Sequence, residues 1–147
     1  MKPTTMIVAL PVADLDRSLR FYREGLGVDA SDIDGGMFVI ELPNLSLFLM
    51  NQEDYAGYAE RTGTATGGAP APGGCIFSAA IGSRAEVDEA LAGAERAGGS
   101  IPGPAQELDG GYMGYLGDPD GHLWELVCNE HTVAAAELQA NAEGARK

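Results

Sequence analysis

Val12-Ala13-Asp14-Leu15-Asp16-Arg17-Ser18-Leu19-Arg20-Phe21-Tyr22, followed closely by Gly25-Leu26-Gly27, is the stretch on which the reading of this sequence turns. Just before it, Met6-Ile7-Val8-Ala9-Leu10-Pro11-Val12 is a short, partly β-branched apolar run, the pattern of a buried strand. Asp14 stands where a helix N-cap belongs, and Leu15, Leu19, Phe21, Tyr22 and Leu26 recur at helical spacing. Gly25 and Gly27 end that helix. A strand therefore runs straight into a capped helix.

Downstream, Asp32 to Gly36 is a turn cluster, and Met37–Leu42 with Leu45–Met50 predict a hairpin turning at Pro43-Asn44. Residues 52–61 predict a short helix, and the small, turn-forming residues from Thr62 to Gly74 predict a flexible linker. The plan then starts again. Cys75–Ile81 reads as a strand, Ser83-Arg84-Ala85-Glu86 has capping-box spacing, and Val87, Leu91, Ala94 and Ala97 carry a helix to Gly98-Gly99. Strands follow around Ile101–Leu108, Tyr112–Gly117 and Leu123–Cys128, with a turn at Asp118-Pro119-Asp120-Gly121. From about Thr132 the tail is Ala-rich and reads as helix without an apolar stripe.

The order strand–helix–strand–strand–strand is thus expected twice. Gly35-Gly36 precedes one hairpin as Gly110-Gly111 precedes the other. Pro11-Val12-Ala13-Asp14 is matched by Ala80-Ile81-Gly82-Ser83, 69 positions later from Val12 to Ile81. A duplicated module that cannot bury its sheet alone packs against its copy. The expected organisation is one α+β domain over 1–129, with module one at 5–51, helix and linker at 52–74, module two at 75–129 and a helical tail at 130–147.

Composition narrows the function classes. The chain has 147 residues, 45% of them apolar, enough for a core at this length. Nine basic against 22 acidic residues give a net charge of −13, which repels nucleic acid and suits solubility or a cationic ligand. No run reaches the 18 or so apolar residues of a membrane span and no signal sequence is read, so no membrane partner is expected. Two cysteines, Cys75 and Cys128, fit free thiols and a cytoplasmic setting, and neither has a basic neighbour, which favours two buried, inert thiols.

Val12 to Tyr22 with Gly25-Leu26-Gly27 resembles the opening signature of the vicinal oxygen chelate superfamily, which includes glyoxalase I, bleomycin-resistance proteins and extradiol dioxygenases. Gly117-Asp118-Pro119-Asp120-Gly121-His122-Leu123-Trp124-Glu125-Leu126 resembles its closing signature, so the resemblance covers roughly residues 5 to 129. It implies two βαβββ modules forming a curled mixed sheet around a cleft. It also implies, in metal-using members, two ligands per module and bidentate chelation of vicinal oxygens on a divalent ion.

Carried over by count and by the internal repeat, those ligand positions read Ile7, Phe48, Ile76 and Glu125. Three cannot ligate, so no cofactor is expected, and a divalent metal is the disfavoured alternative. Strand alternation instead lines the cleft with Ile7, Ala9, Ser46, Phe48, Met50, Ile76, Ser78, Ala80, Leu123, Glu125 and Val127. It turns Val8, Leu10, Leu47, Leu49, Phe77, Ile81, Trp124 and Leu126 toward the helices. Glu125 is the candidate acid or base, or else an acceptor of hydrogen bonds from its neighbours.

Tyr55 and Tyr58 read as a lid over the cleft or as anchors of their helix, and Tyr115 as aromatic area beside it. His122 reads as a turn-stabilising residue, His131 as a solvent-facing one, and Asp14, Arg17 and Ser18 as a cap with its supporting pair. The leading expectation is a small-molecule binding protein, metal-independent and homodimeric. A lyase or dioxygenase-type enzyme with an atypical metal site is the alternative, and the sequence leaves open whether a reaction is catalysed.

Overall fold

The computed structural model describes residues 1–64, 74–108 and 110–147, so the expected linker falls mostly outside the described residues. Each half builds one mixed sheet. In the first, β1 (Ile7–Val12) runs parallel to β3 (Leu45–Asn51), which pairs antiparallel with β2 (Met37–Leu42). In the second, β4 (Ile76–Ala80) runs parallel to β7 (Leu123–Cys128), and β6 (Gly111–Gly117) and β5 (Gln106–Leu108) complete the order β4–β7–β6–β5. The α+β class and the duplicated plan stand.

Module one departs from the expected five elements. The strand expected between the helix and the hairpin shrinks to a single bridge between Ala30 and Ile40. Side chains take over the ladder there: Ser31 Oγ accepts from Val39 N at 2.9 Å, and Arg23 Nη2 donates to Ala30 O at 2.8 Å. The strand expected from Ile101 is likewise confined to Gln106–Leu108, because Pro102 and Pro104 have no N–H to donate.

Asp14 caps α1 (Leu15–Arg20) as expected, its Oδ1 accepting from Arg17 N at 3.0 Å. The helix then widens into a π turn over Phe21–Gly25, with Leu26 N donating to Phe21 O at 3.2 Å. The consecutive residues Phe21 and Tyr22 are both wholly buried there, packed edge to face with ring centroids 5.1 Å apart. Beside it lies α3 (Arg84–Arg96), capped by Ser83. A Cβ on Gly93 would collide with the carbonyl oxygen of Gly25, so only glycine lets these backbones touch. Two further helices flank the sheets: α2 (Gln52–Thr62), capped by Asn51, and α4 (Glu130–Ala145), opened by a reciprocal Asn129–Thr132 box.

One core serves both modules. Leu10, Phe38, Leu47 and Leu49 of the first sheet share it with Leu116, Trp124 and Leu126 of the second, and with Val87 and Leu91 of α3. Val8, Phe77 and Ile81 pack against its margin. The predicted inward face is therefore the observed one on both sheets.

Polar contacts cross the same junction. Tyr22 Oη donates to Asp118 Oδ2 at 2.7 Å and accepts from Trp124 Nε1 at 3.3 Å. Asp118 Oδ1 accepts from the backbone N–H of Asp120 and His122, each at 2.9 Å. His122 Nε2 meets Pro11 O at 2.8 Å, the backbone contact expected of it, though on the other module. Arg17 and Ser18 serve the Asp14 cap through their backbone N–H groups; the Arg17 side chain reaches Asp120 Oδ1 at 3.3 Å, while Ser18 is buried with its Oγ unpartnered. Burial pushes the Asp118 carboxyl upward, against the lowering effect of its hydrogen bonds. Burial and the Asp118 charge hold the Tyr22 phenol well above its ordinary value.

Two outcomes follow from this junction. Tyr22→Phe strips Asp118 of a donor and Trp124 of an acceptor, and is expected to lower the unfolding free energy by about 1–3 kcal/mol in urea titrations; an unchanged midpoint would show the bond to be unimportant. Because burial favours the protonated acid more in the folded chain, the stability owed to Asp118 is complete below the ordinary carboxylate pKa and declines as pH rises through the raised value. The advantage of wild type over Asp118→Asn should therefore be larger near about pH 4 than near about pH 7, and a constant difference would contradict it.

Candidate functional site

With one face of each sheet committed to the core, the pleat turns the other outward. Ile7, Ala9, Phe48 and Met50 share that face in module one, and Ile76, Ser78, Leu123 and Glu125 share it in module two. The registers confirm the internal repeat. Ala9 pairs with Phe48 as Ser78 pairs with Glu125, and Ile7 lies two residues before Ala9 as Ile76 lies two residues before Ser78. The four positions singled out by the repeat are thus structurally equivalent in pairs.

Among the described residues, each outward face carries a hollow. One, of about 450 Å³, is lined by Ile7, Ala9, Phe48, Tyr55 and Tyr58. The other, of about 460 Å³, is walled by Ile76, Ile101, Pro102, Leu123 and Tyr115, among others. Tyr55 and Tyr58 pack edge to face at 5.7 Å, and Arg61 lies 4.7 Å over the Tyr58 ring. The two tyrosines therefore wall the first hollow from α2. Met50 is buried and lines neither hollow, and Ser78 and Glu125 stand on the open sheet face. The two sheets meet through α3, the π turn and the Tyr22 junction, and no strand ladder joins them among the described residues.

On that open face a polar row crosses three strands. Ser78 Oγ donates to Glu125 Oε1 and Tyr115 Oη donates to Glu125 Oε2, both at 2.8 Å. The registers place the three residues side by side, Ser78 opposite Glu125 and Glu125 opposite Tyr115. The bond to Glu125 raises the Tyr115 phenol above its ordinary value. Alternation put Ser78 and Glu125 on one face, but the closing of Tyr115 onto the second oxygen needed the strand order β4–β7–β6.

Module one carries a smaller counterpart that sequence reading missed: Ser46 Oγ donates to Glu41 Oε2 at 2.6 Å. A larger groove of about 1010 Å³, also unforeseen, runs between α4 and the β5–β6 hairpin, with Tyr112 and Cys128 on its walls. Its shape depends on where α4 docks, and no local motif signals that. The tail helix begins at Glu130, and His131 is exposed on it. Cys128 is buried as expected, whereas Cys75 is exposed, because it precedes β4 instead of belonging to it.

A divalent ion needs several converging donors. The three positions that accompany Glu125 in the repeat are Ile7, Phe48 and Ile76, and both Glu125 oxygens already accept from neutral hydroxyls. Among the described residues no three His, Cys, Asp or Glu side chains converge on a common point. The donor set at these positions does not fit a chelated metal.

A sequence model of the Glyoxalase/Bleomycin resistance protein/Dioxygenase superfamily matches residues 6–126. The chain belongs to that superfamily. Solved structures agree on the fold. A glyoxalase-related enzyme from Fulvimarina pelagi superposes with a TM-score of 0.73 at 28% identity, covering 86% of this chain and 88% of that one. A lactoylglutathione lyase from Agrobacterium tumefaciens gives 0.61 at 24% identity, covering 86% and 95%. A glyoxalase/bleomycin resistance protein from Albidiferax ferrireducens T118 gives 0.67 at 21% identity, covering 86% and 99%. No functionally curated relative matches the sequence. As in the sequence reading, no helix among the described residues is long and apolar enough to cross a membrane.

Within this superfamily fold, the row makes a spectroscopic prediction. In Glu125→Gln the Tyr115 phenol loses the bond that raises it and returns toward the ordinary tyrosine value. A phenolate absorbance titration should show one tyrosine ionising earlier than in wild type; superimposable curves would mean that the bond is not formed in solution.

Proposed function

We propose that this chain is a small-molecule binding protein of the glyoxalase/bleomycin-resistance type that works without a metal. Its ligand lies against the outward sheet faces, the apolar part in the hollows and the polar part at Glu125. The observation that carries this reading is the donor set. Three of the four positions where metal-using members would place ligands are Ile7, Phe48 and Ile76, and the fourth, Glu125, is already held by Ser78 and Tyr115. What these positions supply is apolar area with one anchored carboxylate, the composition of a small-molecule site and not of a coordination sphere.

A homodimer accompanies this reading. Ile7 is 52% exposed and Ile76 56%, large apolar side chains on the faces that would hold the ligand. A two-fold partner that covers those faces would enclose the hollows as well. The free thiols Cys75 and Cys128 support a cytoplasmic setting.

Thermal unfolding of the purified chain with Ni²⁺, Zn²⁺, Mn²⁺ or Fe²⁺, beside a broad panel of small metabolites, tests the proposal. A ligand that binds the folded chain at about 100 times its Kd adds about 2.7 kcal/mol of stability. At least one organic compound is expected to raise the midpoint, and no metal is expected to do so through Glu125. Stoichiometric metal in the purified protein that is lost in Glu125→Ala would overturn metal independence and favour the lyase or dioxygenase alternative.

A further inference from the structure

Resting on the ligand-binding reading, we propose that the ligand of the Ser78–Glu125–Tyr115 row is a protonated amine carrying N–H donors on an apolar body. Hydrogen-bond accounting leads there. A hydroxyl has one proton to give, and an ionised carboxylate has none. Ser78 donates its proton to Oε1 and Tyr115 to Oε2, the much shorter of its two contacts beside Met113 Sδ at 3.8 Å, so the row in this arrangement turns lone pairs toward an incoming molecule. Carbonyl, carboxylate and phosphate groups bring lone pairs of their own and find no donor in the row. A molecule that satisfies it must bring the protons.

Charge selects among donors. The ion pairs of Arg17, Arg23 and Arg84 are made with Asp120, Asp32 and Glu107, so these arginines do not neutralise Glu125. No lysine or arginine lies within residues 62–83, which span the approach to β4 and β4 itself, or within 97–145, which carry β5 to β7. A carboxylate without a partner cation attracts a cationic ligand, and its charged hydrogen bonds are stronger than neutral ones.

Geometry selects the kind of cation. Each carboxylate oxygen accepts one hydroxyl and keeps a lone pair for a second donor, so an N–H can join the row without displacing the pair. An ammonium carries three separate donors on one atom. It can meet a carboxylate oxygen and the lone pairs of Ser78 Oγ or Tyr115 Oη, because adjacent strands are only about 4.8 Å apart. A quaternary ammonium has the charge and no donor. Tyr115 also walls the neighbouring hollow with Ile76, Leu123, Ile101 and Pro102, so an apolar body attached to the ammonium has about 460 Å³ beside it. That is within the range of small-molecule sites.

Four probes with one phenyl body separate the possibilities on the full chain: 2-phenylethylamine, its N,N,N-trimethyl derivative, 2-phenylethanol and 3-phenylpropionate. Binding is read from amide and side-chain shifts of strands β4, β6 and β7. Phenylethylamine is expected to bind at least about tenfold more tightly than each of the others, a factor in keeping with one hydrogen bond to a charged group. Glu125→Gln should remove that preference, and Tyr115→Phe should weaken amine binding while leaving the fold intact by circular dichroism. Equal binding of the trimethyl derivative overturns the requirement for N–H donors. Equal or tighter binding of the alcohol or the acid, or a preference that survives in Glu125→Gln, overturns the cation assignment while the ligand-binding reading stands. If none of the four, nor any compound of the metabolite panel, shifts these strands, both fall together.

Discussion

The hydrogen bond from Tyr22 to Asp118 is the contact on which the arrangement of this molecule depends. It joins residues 96 positions apart and ties the helix of one module to the closing turn of the other. Both partners are buried, so the bond is made without competition from water, and Trp124 completes it from the second sheet. The π turn at Phe21–Gly25 belongs to the same device, since it sets two consecutive aromatics into one core. With the helices drawn together between the modules, each sheet has only its other face left for a ligand.

Those faces differ in chemistry although the registers are alike. Module one offers Phe48 with Tyr55 and Tyr58, an aromatic hollow. Module two offers Glu125 at the position equivalent to Phe48, held between two hydroxyls. The two modules share one scaffold, but the equivalent rows read Ala9–Phe48–Val39 and Ser78–Glu125–Tyr115, so one row is apolar and the other carries a carboxylate. The net charge of −13 has little to do with this difference. Only Glu125 carries its charge into the polar row, and the charge matters there because no basic side chain is paired with it.

Much of this was legible from local pattern. Period-two alternation placed Leu47, Leu49, Trp124 and Leu126 in the core and Ser78 and Glu125 on the opposite face, because the pleat allows no other outcome once one face is buried. The caps at Asp14 and Ser83 were legible because they act within three residues. The bridge at Ala30 was not. It depends on the side chains of Arg23 and Ser31 satisfying backbone groups that a strand would have paired. Nor was the partner of Arg17 legible, for Asp120 reaches it only after the two modules have docked.

The sequence by itself determined the duplicated plan, the identity of the inward faces and the residues at the four equivalent positions. Each of these is set by spacing along the chain, and spacing survives whatever the modules do afterwards. Only the tertiary structure decided where the described residues leave hollows on the outward faces, and that Ser78 and Tyr115 both close onto Glu125. Those facts depend on which strands lie side by side and on where each hydroxyl proton goes, and neither is written in the order of residues.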